Sequence, residues 1–440
     1  METNTILIKN PTILNPLGNN SVETKKASLL IENDKISEVS VDIDEKNADK
    51  VIDGTNKVLM PGLINTHTHI SMSLFRGYAD DLKLDSWLND YIWPMEANLN
   101  EKYCYDGALL SCLEMIKSGT TTFSDMYFYM EDVAKAVRDS GIRSALSYGM
   151  IDFGDEEKRE NEFKENISLI KNCNNTADGR ITTMFGPHST YTASKELLER
   201  VRKEANKYNV GIHIHMNETQ KEIEDVKEAT GMRPFEYLND IGFLDKDVVA
   251  AHCVWLSDNE IKLIKENNVK VSHNPCSNMK LASGASPVGK LLNNDICVSL
   301  GTDGASSNNN LDLFEEMKFA SLMQKLSTLN PEVLNANEVF NMATIEGAKA
   351  LGLDSKIGSI EVGKQADVIL VDLNSANLIP TNTISSNLVY AANGSNVSTT
   401  ICNGQVLMED KKLVNLDENK IFKEAVNSLK ELKDLKEKAA

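Results

Sequence analysis

The sequence predicts an α/β fold: a (β/α)8 barrel spanning 61–357, with a small β domain assembled from both ends of the chain. Three observations predict it. Strand-like and helix-like runs alternate eight times over roughly 240 residues, as a barrel requires. β-rich runs sit at both chain ends, too few on either side for a stable sheet alone. All seven histidines fall within or at the C-terminal end of a predicted barrel strand, the end where barrel enzymes carry their active sites. A doubly wound sheet would show a glycine-rich turn after its first strand, which this sequence lacks.

The first 60 residues hold β-rich runs at Ile6-Leu7-Ile8, Ser28 to Ile31 and Ile36 to Val39, with Asn33-Asp34 as a hairpin turn between the last two. Barrel strands are predicted at 62–69, 119–125, 143–149, 181–187, 210–216, 248–254, 269–274 and 297–303. Amphipathic helices lie between them. Tyr105, Ala108, Leu109, Cys112, Leu113 and Ile116 recur at helical spacing, and Ser194 is placed to cap a helix over 194–207. Further helices are expected at 312–325, 331–335 and 337–351. The β pattern returns at Asp367 to Val371 and at Val397 to Val406, with 374–396 as a mostly polar loop. Residues 358–415 thus complete the β domain begun by 1–60. The tail, 416–440, reads as a charged amphipathic helix with Phe422, Val426, Leu429 and Leu432 on one stripe, expected to dock on its own domain.

The 440 residues are 41% hydrophobic and 25% charged, which supplies a large core and excludes disorder or a collagen-like repeat. The formal charge is −19; such a surface repels phosphate backbones and argues against nucleic acid as a partner. No long apolar run marks a membrane span, and Met1-Glu2-Thr3-Asn4-Thr5 lacks the basic and apolar regions of a leader. Seven cysteines without a CxxC pair argue against a disulfide or zinc-finger framework. A cytoplasmic enzyme is expected.

In Thr66-His67-Thr68-His69, residues two apart on a strand point the same way, so both imidazoles project to the barrel mouth as a chelate for a divalent metal. His213 and His215 repeat the arrangement on the fifth strand. Asp303, in Gly301-Thr302-Asp303-Gly304, follows an apolar run. A buried carboxylate there would cost on the order of several kcal/mol unpaired, so it is expected to meet a cation or a hydrogen-bond donor. Glu218 lies three residues past His215 and suits an acid–base role as well as a solvated loop. Taken alone, His252 reads as a core histidine and Glu96 as a surface acid.

Pro61-Gly62-Leu63-Ile64-Asn65-Thr66-His67-Thr68-His69 resembles the opening strand of the amidohydrolase superfamily. Later motifs keep its order: Gly186-Pro187-His188, His215-Met216-Asn217-Glu218-Thr219, Ala251-His252-Cys253, Ser272-His273-Asn274-Pro275 and Gly301-Thr302-Asp303-Gly304. Over nearly the whole chain the resemblance narrows to the methylthioadenosine/S-adenosylhomocysteine deaminases, and among them to the methanogen 5′-deoxyadenosine deaminases. It implies a composite β-sandwich and one divalent metal per subunit on His67, His69, His215 and Asp303, with Zn²⁺ favoured and Fe²⁺ or Mn²⁺ also fitting the ligand types. The implied reaction is hydrolytic deamination at C6 of 5′-modified adenosines (5′-deoxyadenosine, 5′-methylthioadenosine, S-adenosylhomocysteine, adenosine), by water ionised on that metal. Relatives imply a homotetramer. The fourth strand, Ile181 to His188, has no lysine to bridge a second metal. Pro275-Cys276-Ser277-Asn278-Met279 breaks the motif of the other zinc deaminase fold.

Residue by residue, the resemblance makes Glu218 the proton donor to N1 and His252 the partner of the attacking water. Asp303 becomes both ligand and base, and Glu218 and Asp303 also touch substrate. His188 becomes a substrate contact and Glu96 the acceptor of ribose hydroxyls. Trp87, Trp93 and Phe128 are expected to wall the purine, and His213 and His273 to be structural or to support the ligands. Relatives that take S-adenosylhomocysteine use two arginines on its carboxylate. Tyr148 occupies the first of these positions and cannot make that charged bidentate contact; Arg159 or Lys158 falls near the second. A compact 5′-substituent is therefore expected. The alternative is a related amidohydrolase acting on guanine or a triazine, which would need neither Glu96 nor His188 for a diol. A non-catalytic binding protein would be expected to have lost ligands, and none is missing.

Overall fold

The computed structural model describes residues 4–439; Met1, Glu2 and Thr3, part of the segment read for a leader, lie outside the described residues. Eight parallel strands form the barrel: β1 (Leu63–Thr68), β2 (Thr120–Tyr127), β3 (Arg143–Met150), β4 (Ile181–Pro187), β5 (Gly211–Met216), β6 (Val248–His252), β7 (Lys270–His273) and β8 (Val298–Leu300). They are hydrogen-bonded in chain order. β1 and β8 meet through their ends: Thr66 Oγ1 donates to the Leu300 carbonyl at 2.9 Å and the Asp303 amide to the His67 carbonyl at 2.9 Å. Outward side chains such as Ile212, Ile214 and Val271 are buried against the helices. The interior carries hydroxyls instead, with Thr66 Oγ1 2.7 Å from Ser272 Oγ and 2.8 Å from Ser299 Oγ.

The strand predictions match these elements to within a few residues. The largest difference is at the eighth strand, expected to reach 303. The chain leaves β8 at Leu300, and Asp303 adopts a left-handed φ of 63°, which turns its carboxylate across the barrel mouth.

The two chain ends share two further sheets. One runs Lys35–Ser40, Ser28–Glu32, Thr5–Lys9, Lys50–Asp53; the other runs Lys412–Leu413, Gln405–Glu409, Val397–Cys402, Val368–Asp372, Lys57–Pro61, Thr12–Gly18, Ser21–Lys26. Ile6, Ile8, Leu29 and Ile36 of the first pack on Ile13, Leu59, Val368 and Leu370 of the second, so the composite β domain is a sandwich. Four of its strands carry no clear sequence signal. Thr12–Gly18 contains Asn15-Pro16, Ser21–Lys26 is largely exposed and polar, and Lys50–Asp53 and Lys57–Pro61 are short. Val397 to Val406 is not one run but the start of a hairpin turned at Asn403-Gly404, and the expected loop 374–396 contains the helix Ile384–Tyr390. The junction with the barrel is a buried ion pair. Arg143 at the foot of β3 donates to both oxygens of Asp367, at 2.8 and 3.1 Å, and to Asn403 Oδ1 at 3.1 Å.

Helix α1 (Glu101–Ser118) starts at Asn100, whose side chain accepts from the Tyr103 amide at 3.0 Å. Ser194 caps Lys195–Tyr208 as predicted, accepting from the Leu197 amide at 3.1 Å. Residues 331–335 are a turn rather than a helix, because Asn335 is the cap of Ala336–Met342. The expected 337–351 helix is broken at Thr344 (φ −128°, ψ −95°) before Ile345–Ala350. The tail forms helix α2 (Glu418–Ala439). It docks on α1, but with Ile421, Ala425, Ser428 and Leu432 buried; Phe422 and Val426 of the predicted stripe face outward. The rotation follows from a polar lock: Ser428 Oγ donates to Asp106 Oδ2 at 2.6 Å and accepts from Lys102 Nζ at 2.7 Å. No described helix is long and apolar enough to cross a membrane, and all seven cysteines are free.

Candidate metal centre and active-site pocket

β1 brings His67 and His69 to the barrel mouth, β5 brings His215, and the turn after β8 brings Asp303. His69 Nδ1–H donates to the Met126 carbonyl at 2.6 Å and His215 Nδ1–H to the His188 carbonyl at 2.7 Å. With Nδ1 of each ring donating to a carbonyl, the two Nε2 atoms face each other across 3.3 Å. Asp303 Oδ1 lies 3.2 Å from His69 Nε2 and 3.4 Å from His67 Nε2. His67 Nε2 is fully buried with no hydrogen-bond partner, and its Nδ1 sits 2.7 Å from His213 Nε2. Lone pairs turned on one point beside a carboxylate are what a divalent cation satisfies, and His213 is the support that aims His67. Two groups of mutually close ligand atoms result, His67–His69–Asp303 and His67–His215–His252.

Burial drives His67 down to about 3 and His215 well below its ordinary value, so both present free lone pairs. His69 differs. Burial lowers it, but the hydrogen bond and charge of Asp303 outweigh that and raise it to about 9; a divalent cation competes for the same nitrogen. Asp303 Oδ2 accepts from Ser277 Oγ at 2.6 Å and Ser307 Oγ at 2.7 Å.

Glu218, at the exit of β5, accepts from Ser283 Oγ at 3.3 Å. Burial raises its carboxyl above the usual range, against a smaller opposing pull from His252. His252 ends β6 with a left-handed φ of 71°. Its Nδ1–H donates to Asn278 Oδ1 at 2.9 Å, leaving Nε2 3.9 Å from Glu218 Oε2. His188 packs beside His215, its Nδ1 3.0 Å from Thr192 Oγ1, and burial lowers it to about 3. Glu96 is half-buried in the pocket wall and accepts from the Tyr127 hydroxyl at 2.6 Å. Of the site residues expected from the sequence, all except His67 line one pocket together with Trp87, Trp93 and Phe128. His273 is buried with neither ring nitrogen bonded.

Sequence reasoning does not single out three further residues at the site. Tyr127 sits at the C-terminal end of β2, where the rule that located the histidines would have found it. Asn278 orients His252 from the short helix Pro275–Lys280. Glu222 accepts from the amides of Asn217 (3.0 Å) and Glu218 (2.8 Å), clamping the turn that carries Glu218.

A fold of this class is shared across known proteins. The amidohydrolase family profile matches residues 58–407, and the chain belongs to that family. Within it, the chain is 66% identical over 435 residues (99% of both chains) to a 5′-deoxyadenosine deaminase of Methanobrevibacter smithii. It is 55% identical to that of Methanosphaera stadtmanae, covering 95% of this chain and 96% of the other. Among solved structures, it superposes on an adenosine deaminase from Xanthomonas campestris with bound zinc, with a TM-score of 0.91, 32% identity and 98% of each chain covered. It shares the fold of the zinc-complexed atrazine chlorohydrolase of Arthrobacter aurescens, with a TM-score of 0.90 and 24% identity over 96% of this chain and 100% of that one.

Proposed function

We propose that this amidohydrolase deaminates 5′-deoxyadenosine at C6, giving the inosine derivative and ammonia. The observation that carries the reading is the placing of a half-buried Glu218 carboxyl, raised above its usual range, in one pocket with His69, His215 and Asp303, with His67 behind them in the same cluster. The activity of relatives spanning nearly the whole chain supports it.

His67, His69, His215 and Asp303 would hold one divalent cation, Zn²⁺ by ligand type, with Fe²⁺ or Mn²⁺ as the other candidates. When bound, that cation supplies the Lewis acidity that brings a water towards ionisation near neutral pH. The chain's own residues do the rest. Glu218 gives its proton to ring N1, which draws electron density from C6. Asp303 takes a proton from the water as its oxygen adds to C6. His252, protonated at Nδ1 through Asn278, offers Nε2 as an acceptor that holds the adding oxygen. The proton on Asp303 passes to the exocyclic amine, the C6–N bond breaks and ammonia leaves, while the C6 hydroxyl gives up its remaining proton, which restores the acid form of Glu218 and leaves the C6 carbonyl with N1 protonated. Glu96, oriented by Tyr127, accepts from the 2′- and 3′-hydroxyls, and His188 touches the substrate beside them.

With Glu96 on the ribose diol, the 5′-substituent would point towards a second cavity of about 810 Å³ that shares Trp93, Glu96, Phe128 and Ile151 with the pocket. Tyr148 lines it with Glu101, Glu131, Asp132 and Glu165, and Lys158 is the one cation among the described lining residues. Arg159 is committed elsewhere, 2.9 Å from Asp152. The space would admit a long tail, but its charge disfavours a carboxylate. We therefore rank 5′-deoxyadenosine first, compact neutral substituents (methylthio, hydroxyl) next, and S-adenosylhomocysteine as secondary.

Loss of adenine absorbance, followed for these nucleosides and free adenine with metal content on the same sample, tests the reading. Turnover of nucleosides but not adenine, with 5′-deoxyadenosine leading in kcat/KM, is expected. No turnover of any adenosine by metal-loaded protein would defeat it and favour guanine or triazine chemistry. If Tyr148→Arg leaves the preference over S-adenosylhomocysteine unchanged, the account of the second cavity fails.

A further inference from the structure

The roof of the pocket is one segment, the long excursion between β1 and α1, and it contributes Leu84, Trp87, Leu88, Ile92, Trp93 and Glu96 to the lining. Its outgoing limb is fastened to the barrel: Arg76 pairs with Glu114 and with the Asn309 carbonyl, and Asp80 lies 2.6 Å from Lys280 Nζ. The returning limb carries Tyr91, whose ring meets that of Tyr78 on the outgoing limb edge to face at 6.2 Å. Above this pair sits a side chain from the far end of the chain. Lys436 Nζ donates to the Tyr78 hydroxyl at 2.6 Å and lies 5.3 Å from the Tyr78 ring centroid and 5.7 Å from that of Tyr91.

Lys436 belongs to the last turn of α2, a helix locked to α1 by Ile421, Ala425, Ser428 and Leu432. Its ammonium therefore starts from a fixed point and reaches both limbs of the roof at once. A flexible lysine that keeps a phenol oxygen and two ring faces is a tether. The neighbouring Lys433 is exposed and supplies the same charge without such contacts among the described residues.

We infer that Lys436 is a positioning residue: by joining Tyr78 to Tyr91 it holds the roof over the purine and ribose. Its kinetic arm rests on the deaminase reading; its structural arm does not. The residue touches no substrate atom, so its loss should weaken binding and leave the chemistry alone.

The test uses the full-length metal-loaded protein and two readouts, steady-state kinetics with 5′-deoxyadenosine and amide hydrogen exchange over 84–97. Lys436→Ala is expected to raise KM about five-fold with kcat within about two-fold, and to speed exchange across the roof. Lys436→Arg, which keeps the cation and the donor, is expected to restore both. Lys433→Ala should change neither, which separates the tether from simple loss of charge. The buried seam of α2 is untouched, so Lys436→Ala should melt with the wild type. Wild-type KM in Lys436→Ala overturns the inference, as does an equal effect of Lys433→Ala. If the wild type turns over no adenosine, the functional reading falls by itself; exchange then decides, and unchanged exchange in Lys436→Ala overturns the tether.

Discussion

The Tyr127 hydroxyl donates to Glu96 Oε1 at 2.6 Å, joining the end of the second barrel strand to the roof of the pocket. The bond fixes one oxygen of a half-buried carboxyl and leaves the other for a ligand. Tyr127→Phe should therefore cost about 1–2 kcal/mol of nucleoside binding, a rise in KM of about 5–30-fold with little change in kcat. Glu96→Ala should cost more. Steady-state kinetics on 5′-deoxyadenosine check both, and a Glu96→Ala enzyme with wild-type KM would remove the carboxyl from the ribose site.

Glu218 must carry its proton to act as an acid, and burial is what keeps it there. Activity is thus present below the raised Glu218 value and lost as pH climbs through it. Glu218→Gln should lower kcat by about 10²–10⁴-fold and abolish that alkaline limb. Metal content measured on the same sample should be unchanged, because Glu218 is not in the ligand cluster.

Removing metal by chelation should abolish activity and lower Tm, since an ion that binds only the folded chain stabilises it by mass action. Titrating Zn²⁺, Fe²⁺ or Mn²⁺ back should restore both, and the ion that restores most activity names the preferred metal. His67→Ala should bind metal weakly whatever is supplied. A chelated sample with full activity would be incompatible with the mechanism.

Arg143 and Asp367 are each 2% exposed, so removing one partner strands a buried charge. Arg143→Met should destabilise the fold by about 3–5 kcal/mol in denaturant unfolding. Adding Asp367→Leu should recover part of that loss. A double variant less stable than the single one would mean that the pair is worth more than an apolar replacement.

The barrel and the convergence of His67, His69, His215 and Asp303 at its mouth were legible because both rest on local pattern; the assignment of those four to one metal rests on the family resemblance. Short apolar runs alternate with amphipathic helices, and the histidines keep to strand ends. What was not legible depends on partners far away in sequence. Strand Lys57–Pro61 is defined by Val368–Asp372, and Tyr127 matters only because the fold brings Glu96 to it. The stripe on α2 was misread for a related reason. Apolarity pointed to Phe422 and Val426, but the buried face is set by Ser428, whose hydroxyl finds Asp106 across 322 positions. A serine carries no hydrophobic signal.

The pairing of the two chain ends also sets a condition on biosynthesis. Val58 and Met60 lie opposite Val371 and Ile369, so one edge of the strand Lys57–Pro61 has no partner until translation reaches the far end of the gene. At ribosomal speeds of about 5–20 residues per second, the intervening stretch takes about 15–60 s to make. Throughout that interval the emerging polypeptide offers an apolar β edge to its neighbours on the polysome. Slower initiation, lower culture temperature or more chaperone should therefore raise the soluble yield of the intact enzyme.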